Sequence, residues 1–225
     1  MDGKIKWRLI RSKRRTVGLE INDRGELLVR APENLSLSAI EEVIRKHRRW
    51  IYGRLKEVEQ KKNLQQPVKF KAGEKFLYLG ERYPLRLEPG DRPFLAFDGR
   101  CFVMSSAARV RARELFLRLY RKLARKYLSA RLKRLASFNG FRYKKFRLSS
   151  ARTRWGSCSA QGTISLTWRL IMAPPEIIDY VIIHELAHTK EKNHSRAFWN
   201  LVGRHIPDYK EKRRWLKKNG FLLNL

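Results

Sequence analysis

The segment His184-Glu185-Leu186-Ala187-His188, with a further histidine at 194, holds the side chains whose types and spacing could do chemistry. Two histidines four apart on a helix sit one turn above the other on the same face. Both imidazoles can therefore reach one ion, at the ordinary zinc–nitrogen distance of about 2.0–2.1 Å. Glu185 follows the first histidine directly, so its carboxylate can aim at a water on the ion instead of at the ion itself. Of the five histidines in the chain, three lie between 184 and 194. That concentration points to a Zn2+ site that activates water for hydrolysis.

The flanking residues say how this segment must be held. Pro174-Pro175 can open a helix, because the first turn needs no proline N–H. Glu176 and Asp179 would then lie near its positive end. Ile177, Ile178, Val181, Ile182, Ile183 and Leu186 make the helix apolar on nearly every side, which predicts burial. A carboxylate between two histidines is expensive in such a place without an ion beside it. The spacing of His184, His188 and His194 equals that of the extended metzincin pattern, with Glu191 where that pattern has its glycine. The turn is therefore expected at Lys190-Glu191-Lys192-Asn193, with Asn193 left-handed. Ser195 is a candidate N-cap for a helix from Arg196 to Ile206 that Pro207 ends. His205, three turns further on, is expected to pack, and His47 in its basic run to lie on the surface.

A longer set of residues carries a family resemblance. It comprises Thr153-Arg154-Trp155-Gly156-Ser157-Cys158-Ser159, Gly162-Thr163-Ile164-Ser165-Leu166, Trp168-Arg169-Leu170, Ala173-Pro174-Pro175 and Asp179-Tyr180-Val181, then the histidine segment. Asn193-His194-Ser195, Phe198-Trp199, Pro207-Asp208-Tyr209 and Trp215-Leu216 continue it. Together these residues resemble the YgjP-like metallopeptidase family over nearly the whole chain, most closely from about 150 to 217. The resemblance implies a zincin-type metal-dependent hydrolase, related to the SprT-like and WLM-type proteases that act on DNA-associated proteins.

Charge suggests a partner. The chain of 225 residues has 52 Lys and Arg against 21 Asp and Glu, a formal net charge of +31. So large a surplus repels itself in the folded state and suits a polyanion such as nucleic acid. The cations are spread along the sequence and are dense from Arg109 to Arg134, where Phe116, Leu119, Leu123 and Tyr127 read as the buried stripe of a long helix. Arg121, Lys122, Arg125 and Lys126 occupy consecutive turns of that helix and are the candidate nucleic-acid contacts. There is no apolar run of the length a membrane span needs, and no charged-then-apolar leader after Met1. Cys101 and Cys158 form no metal-type pair, and free thiols suit a reduced, cytoplasmic setting. Cys158 after Gly156-Ser157 is a weak candidate nucleophile.

Periodicity and turn residues give an α+β class. Strands are expected at 5–10, 16–21 and 26–30, with Asn22-Asp23-Arg24-Gly25 turning a hairpin. One helix is expected from a Ser36 or Ser38 cap to about Lys62, then a polar linker from Gln60 to Pro67. Hairpins follow around Gly80-Glu81 and Asp98-Gly99, then the basic helix, stopped by Asn139-Gly140. Strands at 146–148, 154–157 and 163–168, the histidine helix and two short helices complete the chain, the last opened by an Asp208/Glu211 capping box. This gives residues 1–105 as a β-rich lobe with one long helix. Residues 106–225 form a zincin-like lobe with a small sheet packed on the metal-binding helix.

The expected chemistry places Zn2+ on the three imidazoles with a water in the fourth position and Glu185 as its base. A protein or peptide is the first substrate class, and the strand at 154–157 could align it, with Trp155 or Ser157 touching it. A phosphoanhydride such as a nucleotide is the alternative, since activated water attacks phosphorus as well as carbon and arginines suit a polyphosphate. No glycine-rich phosphate cradle supports it. A non-catalytic nucleic-acid-binding protein with a relict zinc site is the third reading. Glu185 speaks against that one, because a structural site has no use for it and normally has a fourth protein ligand.

Overall fold

Leu27, Val29 and Ala31 alternate inward along one strand and are fully buried, the pattern of a sheet with one covered face. They anchor the first of two packing units in the computed structural model, Met1–Pro67 and Val68–Leu225; the structure describes residues 6–22, 24–64 and 68–225. In the first unit β1 (Trp7–Ser12) runs parallel to β3 (Leu27–Pro32), and β2 (Gly18–Ile21) pairs antiparallel on its other side. Helix α1 (Leu37–Lys46) is capped by Ser36, whose Oγ accepts from the Ala39 N–H at 3.2 Å. It lays Ile40 and Ile44 on the sheet, and Ile51 of α2 (Arg48–Leu64) completes the core. The single helix expected here is two, separated at His47, whose backbone leaves the helical region (φ −101°, ψ 12°). The expected strand start at Ile5, turn residue Asp23 and linker end at 65–67 lie outside the described residues.

The second unit begins with a four-stranded sheet. Its strands β4 (Lys75–Tyr78), β5 (Glu81–Glu88), β6 (Leu95–Phe97) and β7 (Phe102–Ser105) lie in the order β4-β5-β7-β6. The long helix α3 (Ala112–Phe138) packs on it through Phe116, whose ring centroid is 4.2 Å from Phe76 and 5.4 Å from Phe102. This aromatic cluster is why the boundary expected at 105/106 falls inside a unit, and why the observed division comes at 67/68, at the end of the polar linker. The face of α3 that is fully buried is Ala112, Phe116, Tyr120, Ala124, Leu128, Leu132 and Ala136. Leu119, Leu123 and Tyr127, expected as the stripe, are half-buried flanks of it. Alanine at three of those positions lets the neighbouring backbone approach closely, which a search for large apolar residues overlooks.

Strands β8 (Lys145–Ser149), β9 (Gly156–Cys158) and β10 (Thr163–Thr167) form the small sheet, in the order β8-β10-β9 with β9 at an edge. A 3₁₀ turn, Trp168–Met172, leads to α4 (Pro175–Ala187), and α5 (Arg196–His205) and α6 (Tyr209–Asn219) close the unit. The architecture is α+β, with the small sheet against the histidine helix. Ser195 caps α5 as expected, accepting from the Phe198 N–H at 3.3 Å. Asp208 makes no capping hydrogen bond. Its carboxylate turns instead to Lys212 Nζ at 2.9 Å.

Candidate metal centre

Helix α4 is buried almost all round, with Ile177, Ile178, Tyr180, Val181, Ile182, Ile183, Leu186 and Ala187 each at most 5% exposed. Burial on this scale comes from its place between α3 and the small sheet, and it leaves one strip open to chemistry. From that strip His184 and His188 project, and the turn after α4 brings His194 back to them. His194 Nε2 lies 3.0 Å from His184 Nε2 and 3.2 Å from His188 Nε2. Nitrogens bound tetrahedrally to one zinc-sized ion stand roughly 3.3 Å apart, so the three atoms fit one metal ion. The His188 Nδ1–H donates to the Glu191 carbonyl at 3.0 Å, which leaves the Nε2 lone pair pointing inward, as a ligand requires. His184 Nδ1 is buried without a hydrogen-bond partner.

The electrostatics favour neutral imidazoles. Burial, then the neighbouring histidines and Arg213, push His184 down to about 3. Burial, His188 and Arg213 also lower His194. Phe198 is fully buried under the cluster, its ring stacked on His188 at 4.4 Å and edge-on to His184 and His194. Trp199 stacks on His194 at 5.5 Å and is itself backed by Tyr209. The turn does not use Asn193 in a left-handed conformation. The Lys190 and Glu191 N–H groups both donate to the Ala187 carbonyl, so the chain leaves α4 by tightening its last turn.

Glu185 lies beside the histidines and is 6% exposed. Burial raises its carboxyl to about 7, against a smaller opposing effect of the Arg154 charge. It opens onto a cavity of about 370 Å³ shared with His184, Tyr180, Trp155, Gly156, Arg154, Arg213 and Lys217. Glu185 is the only acid among these lining residues. The arrangement joins a nitrogen ligand set, a carboxylate that can trade a proton near neutrality, and three cations around a space of substrate size.

The model of the YgjP-like metallopeptidase domain matches residues 15–219. The chain belongs to the YgjP-like metallopeptidase family. Among curated proteins, the UTP pyrophosphatase of Escherichia coli (strain K12) is 34% identical over 59 residues, which is 26% of this chain and 35% of that protein. The match thus spans well under two thirds of that relative's length. Among solved structures, the metallopeptidase zymogen of Pyrococcus abyssi abylysin is 28% identical, covering 40% of this chain and 93% of that one, with a TM-score of 0.37.

In this family member the structure brings His184, His188, His194 and Glu185 together, and places Trp155 on the cavity wall with its ring against Gly220. Ser157 points the other way, into a groove of about 600 Å³ on the far face of the small sheet. The reason is strand alternation: Gly156 and Cys158 face α4, and Ser157 between them cannot. Arg121, Lys122, Arg125 and Lys126 are all exposed along α3. Arg121 turns to Ser150, and Lys126 lines a groove with Tyr78, Tyr127 and Arg134. His205 packs on Phe141 at 5.0 Å, and His47 is exposed. Burial raises the Cys158 thiol against a smaller opposing effect of Lys192, so a thiolate nucleophile there is disfavoured. Tyr180 and Phe198 entered the sequence analysis only through the family resemblance, and Arg213 not at all. Tyr180, one turn before His184, was open to discovery by its spacing, whereas nothing in the sequence signals the place of Arg213.

Proposed function

We propose that this protein is a zinc-dependent hydrolase in which His184, His188 and His194 hold the ion and Glu185 is the proton carrier. The observation that supports it is the meeting of three inward imidazole nitrogens with a buried, raised carboxylate. When bound, the ion supplies a Lewis acid that activates water and polarises the bond to be broken. Glu185 takes a proton as attack begins and returns it to the leaving group, a task suited to a group poised near pH 7. Tyr180 and Arg213 line the cavity as donors toward negative charge that develops there. The edge strand β9 beside Glu185 suits an extended peptide, and a peptide bond is the first reading of the substrate.

A second reading, hydrolysis of a phosphoanhydride, is favoured by Arg154, Arg213 and Lys217 around the cavity and by the curated relative named as a UTP pyrophosphatase. Assaying wild type and Glu185→Gln side by side on casein, a DNA-bound basic protein and nucleoside triphosphates separates the two. The substrate whose turnover vanishes in Glu185→Gln, with metal content unchanged, names the class. Metal-free protein that keeps full turnover would sink both. Both cysteines are free thiols, which supports a reducing, cytoplasmic setting. Among the described residues no helix is long and apolar enough to cross a membrane.

A further inference from the structure

Three arginines from separate parts of the chain gather at the loop between β8 and β9. Arg121 of α3 donates from Nη2 to Ser150 Oγ at 2.9 Å. Arg169, in the turn before α4, donates from Nη1 to the carbonyls of Ser150 at 3.1 Å and Ala151 at 3.3 Å, and from Nε to Asn224 Oδ1 at 3.2 Å. Its guanidinium lies 4.6 Å over the Trp168 ring, and the residue is 9% exposed. Arg152 belongs to the loop itself and is exposed. Burial lowers Arg169, and the nearby Arg152 charge lowers it further.

The missing element is an acid. Elsewhere on α3, Arg118 and Arg131 pair with Glu114 and Asp179, and Arg111 at its start pairs with Glu114. Among the described residues no carboxylate stands within ion-pair distance of Arg121, Arg152 or Arg169. The carbonyls around Arg169 occupy its N–H groups but cancel no charge, and a buried cation without a counter-charge is costly. A planar guanidinium suits the oxygens of a phosphate.

We propose that this loop is a phosphate-binding point for the backbone of nucleic acid, contacted by Arg121 and Arg152 and held in shape by Arg169. A lone phosphate would need one point only. The cationic surface continues instead along α3 through Lys122 and Arg125, both exposed and, among the described residues, without an acidic partner, as a chain of phosphates requires. The loop runs on through Arg154 to Gly156, both of which line the metal cavity. Contacts to phosphates carry no base information, so binding through them is sequence-independent.

The test uses the full chain and labelled oligonucleotides of about 20 nucleotides, single-stranded and duplex, between roughly 50 and 200 mM salt. Arg121→Gln/Arg152→Gln is compared with Arg204→Gln/Lys210→Gln, an equal loss of exposed charge elsewhere in the same unit. The first pair is expected to weaken binding by about tenfold or more and to lower the salt slope by about 1.4–1.8, as two lost phosphate contacts require. The control pair is expected to change affinity by less than about threefold. Equal loss in the two pairs, or loss in neither, would overturn the site. So would wild-type protein that binds inorganic phosphate but no oligonucleotide, since the site would then serve a free anion.

Discussion

Gly156 and Glu185 compete for one space: a Cβ on Gly156 would stand 2.6 Å from both Cγ and Oε1 of Glu185. No positive φ demands glycine at this position, so the requirement is room for the carboxylate. The edge strand thereby sets where Glu185 can aim, and the buried side chain has little freedom to retreat. Gly156→Ala is expected to keep the metal, lose about 1–3 kcal/mol of stability from overpacking, and lower turnover by up to about 100-fold. Metal content, urea unfolding and steady-state rates check the three parts. Undiminished turnover would mean that Glu185 does not act from this position.

His194 and His205 differ in what they meet. His194 Nε2 meets both helix histidines, whereas the His205 ring rests on Phe141. His194→Ala should therefore weaken zinc binding by more than the roughly 10–100-fold typical of losing an outer partner. His205→Ala should leave metal affinity unchanged within error. Titration against a competing chelator measures both, and a reversal of the two results would reassign the third ligand.

The legibility of this chain in its sequence divides by the range of the interaction. Nearly every helix and strand was open to reading, because Ser36, Ser195, Pro175, Gly80 and Gly140 act on their own neighbours. The histidine cluster was legible for the same reason, since His184 and His188 share one helix face and His194 follows within a single turn. What failed was long-range or subtle. The 67/68 boundary depends on Phe76, Phe102 and Phe116 meeting across forty residues. The break at His47 and the unused cap at Asp208 reflect small energies that tertiary packing decides. Arg213 reaches the cavity from a helix that nothing local ties to α4.

Arg131 and Asp179 tie α3 to the second turn of the histidine helix. Arg131 Nε donates to Asp179 Oδ1 at 2.6 Å and Nη2 to Oδ2, a two-point contact with both side chains largely covered. Losing one partner leaves the other charge half-buried and alone. Arg131→Ala is expected to cost about 1.5–3 kcal/mol, and Arg131→Lys to recover less than half of it because a point charge cannot make the fork. Denaturant midpoints of the three proteins decide this, and full recovery by lysine would reduce the contact to simple charge.

Gly80 holds the other side of that helix entrance. In the β4–β5 turn Leu79 and Gly80 both have positive φ, 50° and 87°. Their N–H groups donate to the Ile171 and Met172 carbonyls at 2.8 and 3.2 Å. A Cβ at 80 would come within 2.9 Å of Pro174 Cα, just ahead of α4. Gly80→Ala thus combines backbone strain with a clash against main chain, and a loss of about 2–4 kcal/mol is expected. Gly99, also at positive φ but with open space around its Cβ position, is the control, and its alanine variant should cost only the strain, about 1 kcal/mol. Equal losses at the two sites would remove the contact with Pro174 from the account.

Glu185 makes the metal-free protein's stability depend on pH in a definite direction. Its folded value is raised from 4.5 to about 7 by burial. A raised folded value means the folded state holds the proton more tightly than the unfolded chain. Its contribution is therefore fully present below about pH 4.5 and is lost as pH rises through about 7. Above pH 7 the folded protein must bury an ionised carboxylate, at a cost on the order of 3 kcal/mol for a shift of this size. Glutamine has no such cost. Glu185→Gln should gain on wild type between pH 5 and pH 8 when both are stripped of metal. The low value of His184 works in the opposite sense, losing stability as pH falls below 6.5, but it is common to both proteins and cancels in the difference. Urea midpoints of the two chelator-treated proteins across that range measure the gain. A difference that stays constant with pH would show that the carboxylate is not held neutral by its surroundings.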